Sequence, residues 1–186
     1  MAHTGDESAA VTEPRETETL TWGRPSPGRG DFEAFYRAEL PRLVALARGL
    51  CGSAAADDVA QEAMLAAYRR WPHVSDLERP DAWVRRTCAN LAVSTFRRRM
   101  VELRALGRLG QRRTESVGLA AGADEFWSHV RRLPARQAQV IALHYLFDLS
   151  VDDVAATLEV SPGTVKTHLS RARAQLARTL ELEDES

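Results

Sequence analysis

Apolar positions recur at helical spacing through most of the chain, and prolines and glycines cut that pattern into segments. Phe32, Phe35, Tyr36, Leu40, Leu43, Leu46, Ala47 and Leu50 form the stripe of a first helix, which Pro41 is predicted to kink or split and Gly49 and Gly52 to end. Ser53 is placed to cap a second helix, Ala54–Trp71, with Val59, Ala60, Ala63, Ala67 and Tyr68 inward and Pro72 closing it. Pro80 opens a third, to about Arg99, with Val84, Cys88, Leu91 and Thr95 inward. Helical spacing resumes from Asp124 to Arg132 and from Pro134 to Phe147. There is no alternating strand pattern and no internal repeat, so the expected fold class is all-α. Two small helical domains, 31–102 and 124–182, follow a polar, disordered tail (1–30) and are joined by a glycine-rich flexible linker (103–123).

The last two helices are the most specific. Ser150 with Asp153 three residues on resembles a capping box, and Ser161-Pro162 supplies an N-cap followed by a proline at the first helical position. A short turn separates them, as in a DNA-reading helix-turn-helix. On the second helix Val165, Leu169, Ala172 and Leu176 make one narrow inward stripe. Lys166, Thr167, Ser170 and Arg171 lie on the other side with small residues between them, a surface that donates hydrogen bonds and fits a major groove. Arg173 adds a further cation, and His168 falls at the edge of the buried stripe. The turn carries Glu159 where glycine is common; a left-handed conformation there costs on the order of 1 kcal/mol.

Net charge is −1, which alone argues against a nucleic-acid binder, but its distribution does not. Residues 69–113 hold twelve arginines against four acids, whereas residues 1–20 hold five acids and one arginine, and 181–186 hold four acids and no base. Lys166 is the only lysine. Cys51 and Cys88 form no disulfide framework and have no zinc spacing, so both are expected as buried thiols. No apolar run approaches the ~20 residues of a membrane span and the start lacks signal-peptide character, which points to a cytoplasmic address. His73, His129, His144 and His168 have no carboxylate or cysteine at catalytic or metal spacing, and no phosphate loop is visible, so no enzyme, cofactor or metal is expected.

On the third helix Arg86, Asn90, Val93 and Arg97 share the face opposite the inward stripe, with Trp83 at its edge. A ring for an unstacked base, cations for phosphate and an amide for a base edge are what single-stranded nucleic acid requires. A core role for Trp83 fits the periodicity equally well.

Asp57-Asp58-Val59-Ala60-Gln61-Glu62-Ala63, Tyr68-Arg69-Arg70-Trp71, Pro80-Asp81-Ala82-Trp83-Val84-Arg85-Arg86, Asn90-Leu91-Ala92 and Leu133-Pro134-Ala135-Arg136-Gln137, in this order before the helix-turn-helix, resemble an extracytoplasmic-function (ECF) sigma factor of the sigma-70 family. The resemblance spans roughly residues 31–182 and implies a sigma domain 2-like bundle followed by a sigma domain 4-like helix-turn-helix. It implies that Asp57, Asp58, Gln61 and Glu62 dock on core RNA polymerase. It further implies that Trp83, Arg86, Asn90 and Arg97 melt the minus-10 promoter element and hold a flipped non-template base. Pro162–Ala177 would then read the minus-35 element through Lys166, Thr167, Ser170, Arg171 and Arg173. An anti-sigma factor is the partner such proteins usually have. The competing reading is a LuxR-type regulator that binds duplex DNA without polymerase, because Ser161–Leu169 also resembles that module. The front half discriminates: a receiver or ligand-sensing domain needs strands, and residues 31–99 read as helical.

Overall fold

In a computed structural model, which describes residues 29–106 and 121–184, every regular element is a helix. They are α1 (Arg29–Cys51), α2 (Ser53–Arg69), α3 (Trp71–Val74), α4 (Pro80–Leu106), α5 (Ala121–Arg132), α6 (Ala135–Leu146), α7 (Val151–Leu158) and α8 (Pro162–Asp184). The tail before residue 29, the stretch 107–120 and the last two residues lie outside the described residues. The expected linker is helical at both ends, since α4 reaches Leu106 and α5 begins at Ala121.

Local differences from the expected pattern have physical causes. Pro41 does not split α1, which runs 23 residues with the proline inside; packing against α2 and α4 holds it together. Gly49 lies within the helix, and the break falls at Gly52, whose φ of +86° only glycine adopts without strain. Gly52 is also the N-cap of α2, so Ser53 is helical rather than capping. Trp71 belongs to the separate short helix α3, where it is buried beneath the rings of Phe32 and Phe35 with centroids 5.0 and 5.1 Å away.

α1, α2 and α4 pack into an N-terminal bundle, and α5–α8 into a C-terminal one with α8 against α6 and α7. Leu43, Leu46, Leu50, Met64 and Val84 are fully buried in the first, and Val140, Ile141, Leu143, Val154 and Leu158 in the second. Side chains of this kind each contribute about 1.5–3 kcal/mol of transfer free energy. Both thiols are buried as expected, and burial pushes them up, to about 11 for Cys51 and about 12 for Cys88.

The bundles also touch each other. α1 meets α5 and α6, and α4 meets α6 and α7. A Cβ on Gly49 would stand 3.1 Å from the Trp127 ring and 3.3 Å from Leu146, so any larger residue must push those two side chains back by a few tenths of an ångström. The Arg131 guanidinium donates to the carbonyls of Arg48 and Gly49 at 3.4 Å, across the same seam.

Candidate nucleic-acid interface

The corner between α7 and α8 is set by its caps. Ser150 Oγ accepts from the Asp153 N–H at 3.1 Å while its hydroxyl donates to the Asp153 carboxylate at 2.7 Å. That bond and the Arg79 guanidinium, 3.0 Å from the carboxylate, hold Asp153 below the usual carboxylate range. Glu159 ends α7 in the left-handed conformation, at φ 53° and ψ 51°. Ser161 Oγ then accepts from the Thr164 N–H at 3.1 Å and α8 begins at Pro162.

Val165, Leu169, Ala172 and Leu176 are all buried, which fixes the roll of α8 and leaves Lys166, Thr167, Ser170 and Arg171 exposed. Among the described residues no carboxylate pairs with Lys166 or Arg171, so their charges face solvent. Arg173 is exposed but held. Its Nε donates to the Tyr145 hydroxyl at 2.9 Å, the guanidinium lies 5.7 Å from that ring's centroid, and its Nη2 reaches His144 Nε2 at 3.4 Å. His144 Nδ1 stands 2.7 Å from the Leu149 carbonyl, which can only accept, so Nδ1 carries the proton and Nε2 is free to accept from Arg173. Tyr145 is 52 % exposed; its role depends on a contact across the fold, and sequence reasoning missed it.

A second surface runs along α4. Trp83 is half-buried and packs on the core with one side. Arg86 is ion-paired with Glu159, and the Asn90 side-chain oxygen accepts from the Gln139 amide at 2.8 Å. Arg97 is exposed on the rim of a groove of about 620 Å³ lined by Val93, Phe96, Arg131, Leu133 and Ala138. Val93, expected on the polar face, is 9 % exposed because the C-terminal bundle covers that side of α4. Arg85, one residue from Arg86, is buried. It makes two hydrogen bonds to Glu39, at 3.1 and 2.8 Å, an ion pair with Asp81 at 2.7 Å, and stacks 4.7 Å over Phe147.

On α2, Asp57, Asp58, Gln61 and Glu62 are all exposed. Asp58, Gln61 and Glu62 border a shallow cleft floored by Phe32, Tyr36 and Met64. Leu65 and Tyr68 complete its wall at 45 % and 43 % exposure. Tyr68, expected inward, therefore presents its ring at the surface, at the edge of the α1–α3 aromatic cluster, 5.0 Å from Phe32. The α2, α4 and α8 sets thus occupy separate surfaces rather than one site. Among the described residues no group of side chains could hold a metal ion, and no helix is long and apolar enough to cross a membrane.

Residues 35–101 match the family described as sigma-70 region 2, and residues 124–176 match sigma-70, region 4. The chain is 30 % identical over 164 residues to the RNA polymerase sigma-E factor of Streptomyces avermitilis, covering 83 % of this chain and 87 % of that one. It is 31 % identical over 156 residues to the sigma-E factor of Streptomyces antibioticus, with the same coverage. Among solved structures, the sigma factor RpoE in complex with the anti-sigma factor NepR from Bartonella quintana superposes with a TM-score of 0.63 at 25 % identity, over 81 % of this chain and 97 % of that one. CnrH in complex with the cytosolic domain of CnrY superposes with a TM-score of 0.58 at 25 % identity, over 81 % and 88 %.

Proposed function

The chain belongs to the sigma-70 family as an ECF RNA polymerase sigma factor, and on that premise we propose that its C-terminal bundle grips the minus-35 duplex while its N-terminal bundle opens the minus-10 element. The observation that carries this reading is the α8 surface: Lys166, Thr167, Ser170 and Arg171 outward and rigidly rolled by the buried stripe beneath them, with no carboxylate paired to either cation among the described residues. Phosphate contacts from the cations position such a helix, and the hydroxyls and small residues allow approach to base edges. On α4, Trp83 supplies a ring for a base taken from the stack, Asn90 an amide for its edge, and Arg86 and Arg97 phosphate neutralisation. Unstacking costs a few kcal/mol per step, which these contacts offset.

Core polymerase docks on α2, with Asp57, Asp58 and Glu62 contributing charge, Gln61 an amide, and the Leu65–Tyr68 cleft the apolar centre. The protein performs no covalent chemistry; phosphodiester bond formation belongs to the polymerase, and the setting is the cytoplasm. Because RpoE of Bartonella quintana and CnrH are each held by a partner in the solved complexes, an anti-sigma protein is proposed as the regulator of this chain too. The match of residues 35–101 to sigma-70 region 2 fills the half of the chain where a LuxR-type regulator would carry a sensing domain.

Co-purification with core polymerase and transcription from a matched promoter test the reading. Specific duplex binding with no affinity for polymerase would overturn it.

A further inference from the structure

We propose that the segment Leu20–Arg24, which precedes α1, docks in the cleft between α1 and α2 and competes there with core polymerase. The inference rests on the assignment of that cleft to polymerase docking. At about 590 Å³ the cleft has room for an indole and an aliphatic side chain together. Its floor and wall are apolar: Phe32 and Tyr36 come from the first turns of α1, and Met64, Leu65 and Tyr68 from α2. Asp58 and Glu62 stand on the rim, both exposed, and among the described residues no cation is ion-paired with either. Such a site suits an aromatic ring with a cation close by in sequence.

The stretch of chain that leads into α1 offers that chemistry. Trp22 is the sole Phe, Trp or Tyr ahead of Phe32, with Leu20 two positions before it and Arg24 two after. In an extended chain alternate residues share a side, so these three can face the cleft together. Pro25 and Pro27 favour an extended backbone just beyond them. Charge divides in the same sense. Residues 21–30 hold Arg24 and Arg29 and no acid, whereas the five acids of residues 1–20 all lie before residue 19. Arg24 therefore meets Asp58 and Glu62 without an acid beside it, and the acidic part, which the same rim repels, is left outside.

Reach agrees. Trp22 stands seven residues before Arg29, about 23 Å of extended chain, while the helix from Arg29 to Tyr36 rises only about 10 Å. A tether of that length holds the ring near the cleft at an effective concentration of about 1 mM, so a contact with a dissociation constant of ~0.5 mM is about two-thirds occupied. Core polymerase then finds an open cleft in about one molecule in three, and its apparent affinity falls about threefold.

Two measurements on the full chain test this. Trp22→p-benzoylphenylalanine keeps an aromatic side chain at the position and cross-links on irradiation to whatever it touches. Peptide mapping is expected to place the adduct within residues 32–36 or 58–68 of the same molecule, at a yield independent of protein concentration. Adducts on other helices, or between two copies of the chain, overturn the docking. For the competition, the double variant Trp22→Ala, Arg24→Glu is titrated against labelled core polymerase, with a thermal melt matching the parent's as the check on its fold. It is expected to bind core about threefold tighter at low salt, the gap narrowing as salt rises. Equal or weaker binding overturns the competition. Failure of the polymerase assignment looks different: in the background of the double variant, Leu65→Ala and Tyr68→Ala would then leave core affinity unchanged, while the cross-links still report where position 22 sits.

Discussion

Arg85 and Glu39 are joined by two hydrogen bonds, at 3.1 and 2.8 Å, across the buried seam between α4 and α1. The pair explains how consecutive arginines take opposite parts. Arg85 is 5 % exposed, ties α4 to α1 and stacks on Phe147, while Arg86 reaches Glu159 of the C-terminal bundle and the proposed strand path. Arg85→Ala leaves the buried Glu39 carboxylate with only the exposed Arg42, 3.6 Å away, and is expected to cost about 3 kcal/mol, read as a fall in urea midpoint. Arg86→Ala should leave the midpoint within about 1 kcal/mol of the parent and lower promoter opening instead. Equal destabilisation by the two would refute this division.

Polymerase docking is expected to depend on Leu65 and Tyr68 as much as on the acids beside them. Leu65→Ala and Tyr68→Ala should each weaken binding to core polymerase by about 1–2 kcal/mol, roughly 5- to 30-fold. Both side chains are more than two-fifths exposed, so the thermal midpoint should barely move. The measurement is a titration of core enzyme with labelled variants; full affinity in both would remove the cleft from the interface.

Gly49 tests the contact between bundles. A methyl group at this position meets the Trp127 ring at 3.1 Å and Leu146 at 3.3 Å, so Gly49→Ala should strain the seam by about 1–3 kcal/mol. The expected signature is a lower thermal midpoint with the helical content retained; an unchanged midpoint would mean that the seam yields freely.

Acid should loosen the α4 end of the same seam. Burial works to raise the Asp81 pKa, but the hydrogen bond from Arg79 and the charges of Arg85 and Arg79 outweigh it and hold the group below its ordinary value. A depressed folded pKa means that the stabilisation is fully present above the ordinary carboxylate value of about 3.9 and is lost as pH falls through the folded one. Urea midpoints should therefore be flat in this respect from pH 7 to 5 and fall towards pH 3, with a shallower fall in Asp81→Asn. The same acid slope in both proteins would exclude Asp81 as a contributor.

On α8 the cations separate by what they touch. Lys166→Ala and Arg171→Ala should each lower the slope of log affinity against log salt by about 1 if they meet phosphate, or cost about 1–3 kcal/mol at one base pair if they read a base. Tyr145→Phe removes the hydroxyl that holds Arg173 and should weaken duplex binding less than Arg173→Ala does. Binding isotherms on a matched promoter across a salt series give both quantities.

What was legible in the sequence was what local chemistry decides. Ser150, Asp153, Ser161 and Pro162 announce the α7–α8 corner because caps act within one turn, and the strain at Glu159 follows from its place in that corner. The outward set on α8 was legible because its inward stripe is unbroken. Tyr68, Val93, Glu39 and Tyr145 were not, since each depends on a partner distant in sequence. Tyr68 is left at the surface by the aromatic cluster, Val93 is covered by the other bundle, Glu39 is drawn inside by Arg85, and Tyr145 is turned towards Arg173. The contacts of Arg86 and Asn90 with the C-terminal bundle were hidden for the same reason.

The lone lysine, Lys166, stands exposed on the outward side of α8. Acylating reagents therefore meet a single ε-amine in the whole polypeptide, and it sits where the double helix is expected to lie. One such adduct erases a charge and adds bulk at that spot, so mild acetylation offers a way to silence duplex reading while leaving every arginine-dependent contact in place.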